Sequence, residues 1–312
     1  MLPDTSGSER PGCAVPLPGG GTALLGYPCQ NLTLGRSQRS MRLATLRAGG
    51  LAALQEIVDH NLLLPTEILE WNRAQGIAMF RISSDLVPFS SHDAVDLAEV
   101  RFEPELLSRI ADATAGVRLS MHPGQFTVLS TADPKVLQAS VAELRYHAAI
   151  LARLGLSGDL VLHGGGVYGG RPAAAERLVR QIRGLPDDVR GSVCLEGDER
   201  AWSVEQLLPI CEEAGVPLIV DTLHHALNGV TPIDQLPWPR IRGTWGDRTP
   251  KIHYSEQDLE RRAGAHSAAA TSGPFLGAIV AIGMPSFDVM LEGKGKDRAL
   301  LDLVAALEGI DG

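Results

Sequence analysis

The sequence predicts one parallel (β/α)8 barrel, an α/β fold with its chemistry at the C-terminal face of the strands. Three observations predict it. Eight short apolar runs alternate with segments of helical periodicity. Six of those runs carry a histidine, aspartate or glutamate where the strand ends. The length of 312 residues suits one such barrel, and no linker divides it.

In chain order, residues 1–21 are rich in proline, glycine and serine and are expected to be a disordered tail, leaving 22–312 as the barrel domain. Residues 22–27 read as the first strand. The segment after it carries Arg36, Arg39, Arg42 and Arg47 with no acid before Glu56, either a solvated helix start or a phosphate-contacting stretch. Helical periodicity over 46–71 contains Pro65, an expected break. Further strands are expected at 78–82, 117–121, 159–162, 192–195, 216–220, 251–255 and 287–291. Helices are expected between them at 103–115, 134–154, 172–183 and 203–214, the last with Ser203 and Gln206 as a capping box. Prolines at 232, 237 and 239 predict irregular chain with short helices, and helices near 274–282 and 297–307 close the fold.

A hydrophobic content of 44% with 21% charged residues places the chain among soluble globular proteins. No apolar run is long enough to span a bilayer and no signal-peptide pattern is present, so a cytoplasmic protein without membrane contact is expected. The four cysteines are scattered, with no CxxC pair, which excludes a zinc ribbon and a disulfide framework. A net charge of -9 argues weakly against nucleic-acid binding, because binding depends on the local patch and bound cations reverse the local field.

The strand-end residues are His122, His163, Glu196, Asp221 with His224, His253 and Glu292. A barrel brings them to one mouth, and they exceed what one ion needs. Two or three divalent ions use them economically, and the mixed nitrogen and oxygen donors favour Mn²⁺ or Zn²⁺ over Mg²⁺. One histidine at a strand end is ordinarily structural; so many on six strands is a pattern. Only one of His224 and His225 can face the cluster with Asp221, and His266 lies in a loop that could fold over it. His60 and His147 read as structural and His92 as a rim residue. Lys251, two residues before His253, shares its side of the strand. It could meet a substrate phosphate, carry a CO₂ adduct as a ligand, or snorkel to the rim. No Walker, dinucleotide, GxSxG or Cys–His nucleophile pattern is present, which leaves water activated by divalent ions as the nucleophile. Phosphodiester hydrolysis fits such a site. Sugar isomerisation or epimerisation on the same barrel is the competing chemistry, and fold alone does not choose.

Leu24-Leu25-Gly26-Tyr27 with Asn31, Phe80-Arg81-Ile82-Ser83-Ser84, Met121-His122-Pro123-Gly124-Gln125-Phe126, Asp221-Thr222-Leu223-His224-His225 and Pro250-Lys251-Ile252-His253-Tyr254-Ser255 resemble the UV damage endonuclease family. The resemblance runs from about residue 23 past Glu292. It implies a barrel related to the endonuclease IV group that nicks DNA immediately 5′ to cyclobutane pyrimidine dimers and 6-4 products, leaving a 3′-hydroxyl and a 5′-phosphate. Apurinic-site cleavage is a neighbouring alternative. The implied ligands of up to three ions, Mn²⁺ foremost with Mg²⁺, Zn²⁺ or Co²⁺ as alternatives, are His122, His163, Glu196, Asp221, His224, His253, His266 and Glu292. Glu196, Asp221, Glu292 and a carboxylated Lys251 would be the catalytic set. Gln125 and Phe126 would insert into the duplex, Phe126 standing where some members have tyrosine. Tyr27 and Asn31 would probe the opposite side of a flipped-out lesion, with Arg36 and Arg39 nearby on phosphates. The expected partner is UV-damaged duplex DNA, bound by a monomer.

Overall fold

The computed structural model describes residues 12–92 and 94–309. Its frame is a run of short strands in which nearly every side chain is buried on both faces, as parallel strands covered by helices must be. Leu218–Asp221 is representative: three aliphatic residues and a carboxylate, all buried. After a short strand β1 (Ala14–Pro16), the barrel strands are β2 (Thr22–Pro28), β3 (Met79–Ile82), β4 (Arg118–Met121), β5 (Asp159–His163), β6 (Val193–Glu196), β7 (Leu218–Asp221), β8 (Lys251–Tyr254) and β9 (Asp288–Leu291). Each pairs in parallel with the next, and β2 pairs with β9 through Leu25–Val289 and Gly26–Met290, which closes the barrel.

The helices form the outer layer: α1 (Leu43–Ala74), α2 (Pro104–Thr114), α3 (Pro134–Arg153), α4 (Arg171–Arg183), α5 (Asp187–Arg190), α6 (Val204–Ala214), α7 (Thr222–Asn228), α8 (Trp238–Gly243), α9 (Ser272–Ile282) and α10 (Lys296–Glu308). Helix α6 shows how sequence sets both ends. Ser203 and Gln206 make the expected capping box, and Gly215 in the left-handed conformation at φ 71° stops the helix.

Two expectations need correction. Residues 14–16 of the supposed tail form β1, antiparallel to β2, with Cys13, Val15 and Leu17 buried; apolar residues at alternate positions seal the barrel edge there. Residues 1–11 lie outside the described part. Helix α1 continues through Pro65 and breaks instead at Gly50, whose φ of 60° and ψ of -155° suit only glycine.

Alternation along each strand sorts the barrel interior into levels. Asp159, Val161 and His163 share one face of β5. Val161, Cys194, Ile219 and Trp245 make a small apolar cluster of their own, separate from the large core between barrel and helices. It forms a dry waist between polar residues above and below.

Candidate metal centre

The mouth above that waist is set by strand register. His163 pairs with Glu196 across β5 and β6, and Asp221 with His253 across β7 and β8, so these side chains leave the sheet at one height. Three donor groups result: His122 with His163 and Glu196; Glu196 with Asp221 and His224; Glu196 with His253 and Glu292. Within each, the ligand atoms lie within 4.8 Å of one another. Glu196 belongs to all three and is 1% exposed, so it is the hub.

The histidines are oriented by the backbone. Nδ1 of His122 lies 3.0 Å from the Pro123 carbonyl, Nδ1 of His224 3.0 Å from that of Gly197, and Nδ1 of His266 3.0 Å from that of Glu292. A carbonyl only accepts, so each Nδ1 carries the proton and each Nε2 keeps its lone pair, the arrangement found in metal-ligating histidines. His266 packs beside the set, its ring 6.0 Å from that of His224.

Several buried atoms in the mouth lack a partner: Oδ2 of Asp221, Nδ1 of His163 and Nε2 of His253. Buried polar atoms are seldom left unpaired, and each of these belongs to a ligand-type residue of one of the three donor groups. The donor set therefore fits divalent cations on the structure's own terms.

The charges agree. Burial pushes the Asp221 carboxyl up to about 6, with His224 opposing. Burial alone would depress the His253 imidazole, but Glu196 at 2.7 Å and Glu292 at 3.0 Å hold it up to about 9. Glu196 is held well below the usual carboxylate range despite its burial, by His253 and His122. A proton on His253 thus supplies cationic charge between two carboxylates. Arg81 reinforces it with an ion pair to Glu292.

All eight residues expected as ligands meet at this mouth. His225 points elsewhere, its Nε2 2.8 Å from the Thr231 carbonyl. His147 is buried against the Glu143 carbonyl, His60 lies on the Ser37 carbonyl, and His92 is exposed and bonded to the Ala94 amide. Gln125 and Phe126 stand on the loop after β4 at the rim, Phe126 82% exposed. Beside them lies a cleft of about 360 Å³ lined by His122, Gln125, His163, Gly165, Gly166 and Arg200.

Other expected contacts are placed differently. Tyr27 shares strand parity with Ala23 and Leu25 and faces the helix layer. Its hydroxyl donates to Asn72 of α1 at 2.6 Å and accepts from Asn31 at 2.9 Å, and neither Tyr27 nor Asn31 reaches the surface. They are a buried, hydrogen-bonded pair in this conformation. Lys251 does share the inward side with His253, but its ammonium runs away from the mouth to Asp159, 3.0 Å away at the start of β5. Buried carboxylates below the waist capture it there, so it touches neither the donor ring nor the rim. Arg36 is exposed and bound to Glu67 of α1, and Arg39 is exposed. Neither touches the ring.

Sequence reasoning overlooked Arg81. The signal was available: a cation inside the buried strand Met79-Phe80-Arg81-Ile82 requires a buried partner. The backbone carbonyls that orient the histidines carry no sequence signal.

A family model described as UV-endonuclease UvdE matches residues 23–312. The chain is 32% identical to the UV DNA damage endonuclease of Clostridium perfringens, over 92% of this chain and 71% of that one. The crystal structure of SacUVDE superposes with a TM-score of 0.82 at 32% identity, covering 93% of this chain and 99% of that one. A 3-keto-D-glucoside 4-epimerase from E. coli, 12% identical over 93% of this chain and 99% of its own, shares the fold alone at a TM-score of 0.55. With its sequence matched from the first barrel strand to the C-terminus and its barrel overlaid on that of SacUVDE, the chain belongs to the UV-endonuclease UvdE family.

Proposed function

We propose that this protein hydrolyses the DNA phosphodiester immediately 5′ to a UV photoproduct, leaving a 3′-hydroxyl and a 5′-phosphate. The observation that carries the reading is the set of three donor groups sharing Glu196, open beside a rim bearing an exposed amide and an exposed aromatic side chain. His122, His163, Glu196, Asp221, His224, His253, His266 and Glu292 would hold two or three divalent ions, Mn²⁺ foremost. Such ions neutralise the phosphate oxygens, acidify water and stabilise the departing alkoxide.

The chain's own residues do the rest. Glu196 and Asp221 present buried carboxylates, and Glu292 a partly buried one, whose charge only a cation fully satisfies. The Nδ1–H bonds of His122, His224 and His266 hold their rings in place, so no reorganisation is needed when substrate arrives. His253 Nδ1–H holds Glu196 and Glu292 together when ions are absent. Gln125 and Phe126 would enter the duplex at the lesion, Phe126 stacking on a base and Gln125 bonding to base edges. A step already distorted costs less to open, which gives lesion preference a physical source. The adjacent cleft would receive displaced nucleotide.

The test is a UV-irradiated duplex incubated with protein and Mn²⁺, the new ends mapped on both sides of the nick. A nick 5′ to the dimer with ligatable 3′-hydroxyl and 5′-phosphate ends is expected. Cleavage confined to abasic sites, or no lesion-dependent cut, would overturn the reading.

A further inference from the structure

Across β3 from the Gln125–Phe126 rim, the loops after the neighbouring strands β2 and β9 form another wall of the mouth. They are tied together: Asp297 accepts the backbone amides of Leu32 at 2.5 Å and Thr33 at 3.1 Å, and Arg298 donates to the Leu32 carbonyl at 2.8 Å. Cys29, at the end of β2, donates its amide to the Arg81 carbonyl at 2.7 Å. This wall holds two of the few non-glycine residues with left-handed backbone, Cys29 at φ 69° and Lys296 at φ 51°. For a lysine that conformation is unfavourable, and such outliers persist where the surroundings demand them, often at functional sites. Gly295 before it permits the approach, since a Cβ there would lie 2.3 Å from the Ala268 carbonyl.

The lysine is placed accordingly. Lys296 is half-buried, within electrostatic reach of Cys29, Arg81 and Glu292. Among the described residues it makes no ion pair, whereas its neighbour Lys294 reaches Asp258 at 3.7 Å. Arg81, 7% exposed, spends one terminal nitrogen on Glu292 and leaves its buried Nε without a partner. Arg81 is thus paired to a carboxylate at the edge of the donor ring whose charge also bears on the unpaired Lys296 ammonium. If Glu292 is engaged by metal, the corner keeps an excess of positive charge and an ammonium without a counter-ion.

We propose that Lys296 contacts a DNA backbone phosphate next to the scissile one, in a corner whose positive charge Arg81 reinforces. The inference rests on the endonuclease reading and adds a substrate-positioning residue on the β2–β9 wall, apart from the wedge. The contact is to a phosphate, so it carries affinity and register and not lesion choice.

Lys296→Asn and Lys296→Arg test it. Asparagine removes the charge yet tolerates left-handed backbone, so the melting temperature should hold or rise. Binding in Mn²⁺ to a dimer-containing duplex whose linkage 5′ to the dimer resists hydrolysis should weaken roughly tenfold at low salt, with the slope of log K against log salt smaller by about 1. Binding to an undamaged duplex should weaken alike. In Mn²⁺, KM should rise with little change in kcat, and Lys296→Arg should restore both slope and KM. An unchanged slope and KM in Lys296→Asn would overturn the proposal. So would a lowered melting temperature that arginine fails to rescue, which marks a structural lysine. Should the wild type not nick the UV-irradiated duplex while the slope still drops in Lys296→Asn, the endonuclease reading falls and the phosphate contact stands.

Discussion

The two ends of the barrel interior hold buried ionic clusters of opposite design. At the N-terminal floor, Asp159 receives Lys251 at 3.0 Å, Arg248 at 3.1 Å and Arg118 at 3.3 Å, while Asp288 receives Arg118 at 2.7 Å. Every carboxylate there has cations, and Trp245 closes the layer beneath the guanidinium groups of Arg118 and Arg248. At the C-terminal mouth, Glu196, Asp221 and Glu292 share one arginine and a ring of histidines, and atoms of Asp221, His163 and His253 stay unpaired. The floor is complete as folded. The mouth is charge-deficient, and only something brought from outside can complete it. That contrast separates a structural ion cluster from a site, although both set buried carboxylates inside the barrel.

The largest expected break of this contrast is Glu196→Gln. Removing the carboxylate common to all three donor groups should cost more than the roughly 10–100-fold that follows loss of an outer partner of a metal ligand. Nicking of a UV-irradiated duplex together with bound-metal analysis checks it, and the floor should be untouched. Asp159→Asn breaks the other cluster. It strands the fully buried Lys251 in the interior and should destabilise by about 3 kcal/mol in denaturant titrations, since an uncompensated buried charge is costly. Nicking per folded molecule should be little changed. A collapse of activity in folded Asp159→Asn would show that the floor is coupled to the chemistry.

Acidity sharpens the contrast, because the two clusters respond with opposite sign. Asp159 is pushed up by burial but held down to about 2 by Lys251 and Arg118, below its ordinary 3.8. Its stabilisation, about 2 kcal/mol, is present above pH 3.8 and lost as the pH falls towards 2. Asp221 is raised from 3.8 to about 6, so in ion-free protein its protonated form stabilises below pH 3.8 and that contribution disappears as the pH rises through 6. Melting curves in EDTA, taken as the difference between wild type and Asp221→Asn, should therefore show this contribution falling between pH 4 and 6, a loss that Mn²⁺ removes because ligation needs the deprotonated carboxylate. Identical pH profiles with and without Mn²⁺ would contradict the contrast. The smallest effect expected is that of Gln125→Ala with Phe126→Ala, a loss of lesion binding near the lower end of roughly 1–3 kcal/mol per stacked base, with metal content unchanged. Normal binding of damaged DNA by that variant would remove the wedge role.

Much of this was legible beforehand because strands alternate with a period of two, a property of the local backbone. His122, His163, Glu196, Asp221, His253 and Glu292 end successive parallel strands, and closing a barrel leaves them one place to meet. The same rule was available for Tyr27, which shares parity with the apolar Ala23 and Leu25. The alternation alone places its ring in the buried layer, as the structure has it. Arg81 was equally visible as a charge inside an apolar strand.

What the chain alone determined is therefore which residue types stand on the inward face of each strand, and in what order. It could not determine where a long side chain ends. Lys251 leaves its strand on the same side as His253 yet finishes on Asp159, because the closed barrel sets a buried carboxylate from another strand within reach below it. Nor could it determine the histidine tautomers, which depend on carbonyls of Pro123, Gly197 and Glu292 that any sequence would possess. Parity is covalent and local. The choice of partner for a flexible charge or a ring nitrogen is an electrostatic comparison among groups that become neighbours only when the barrel closes.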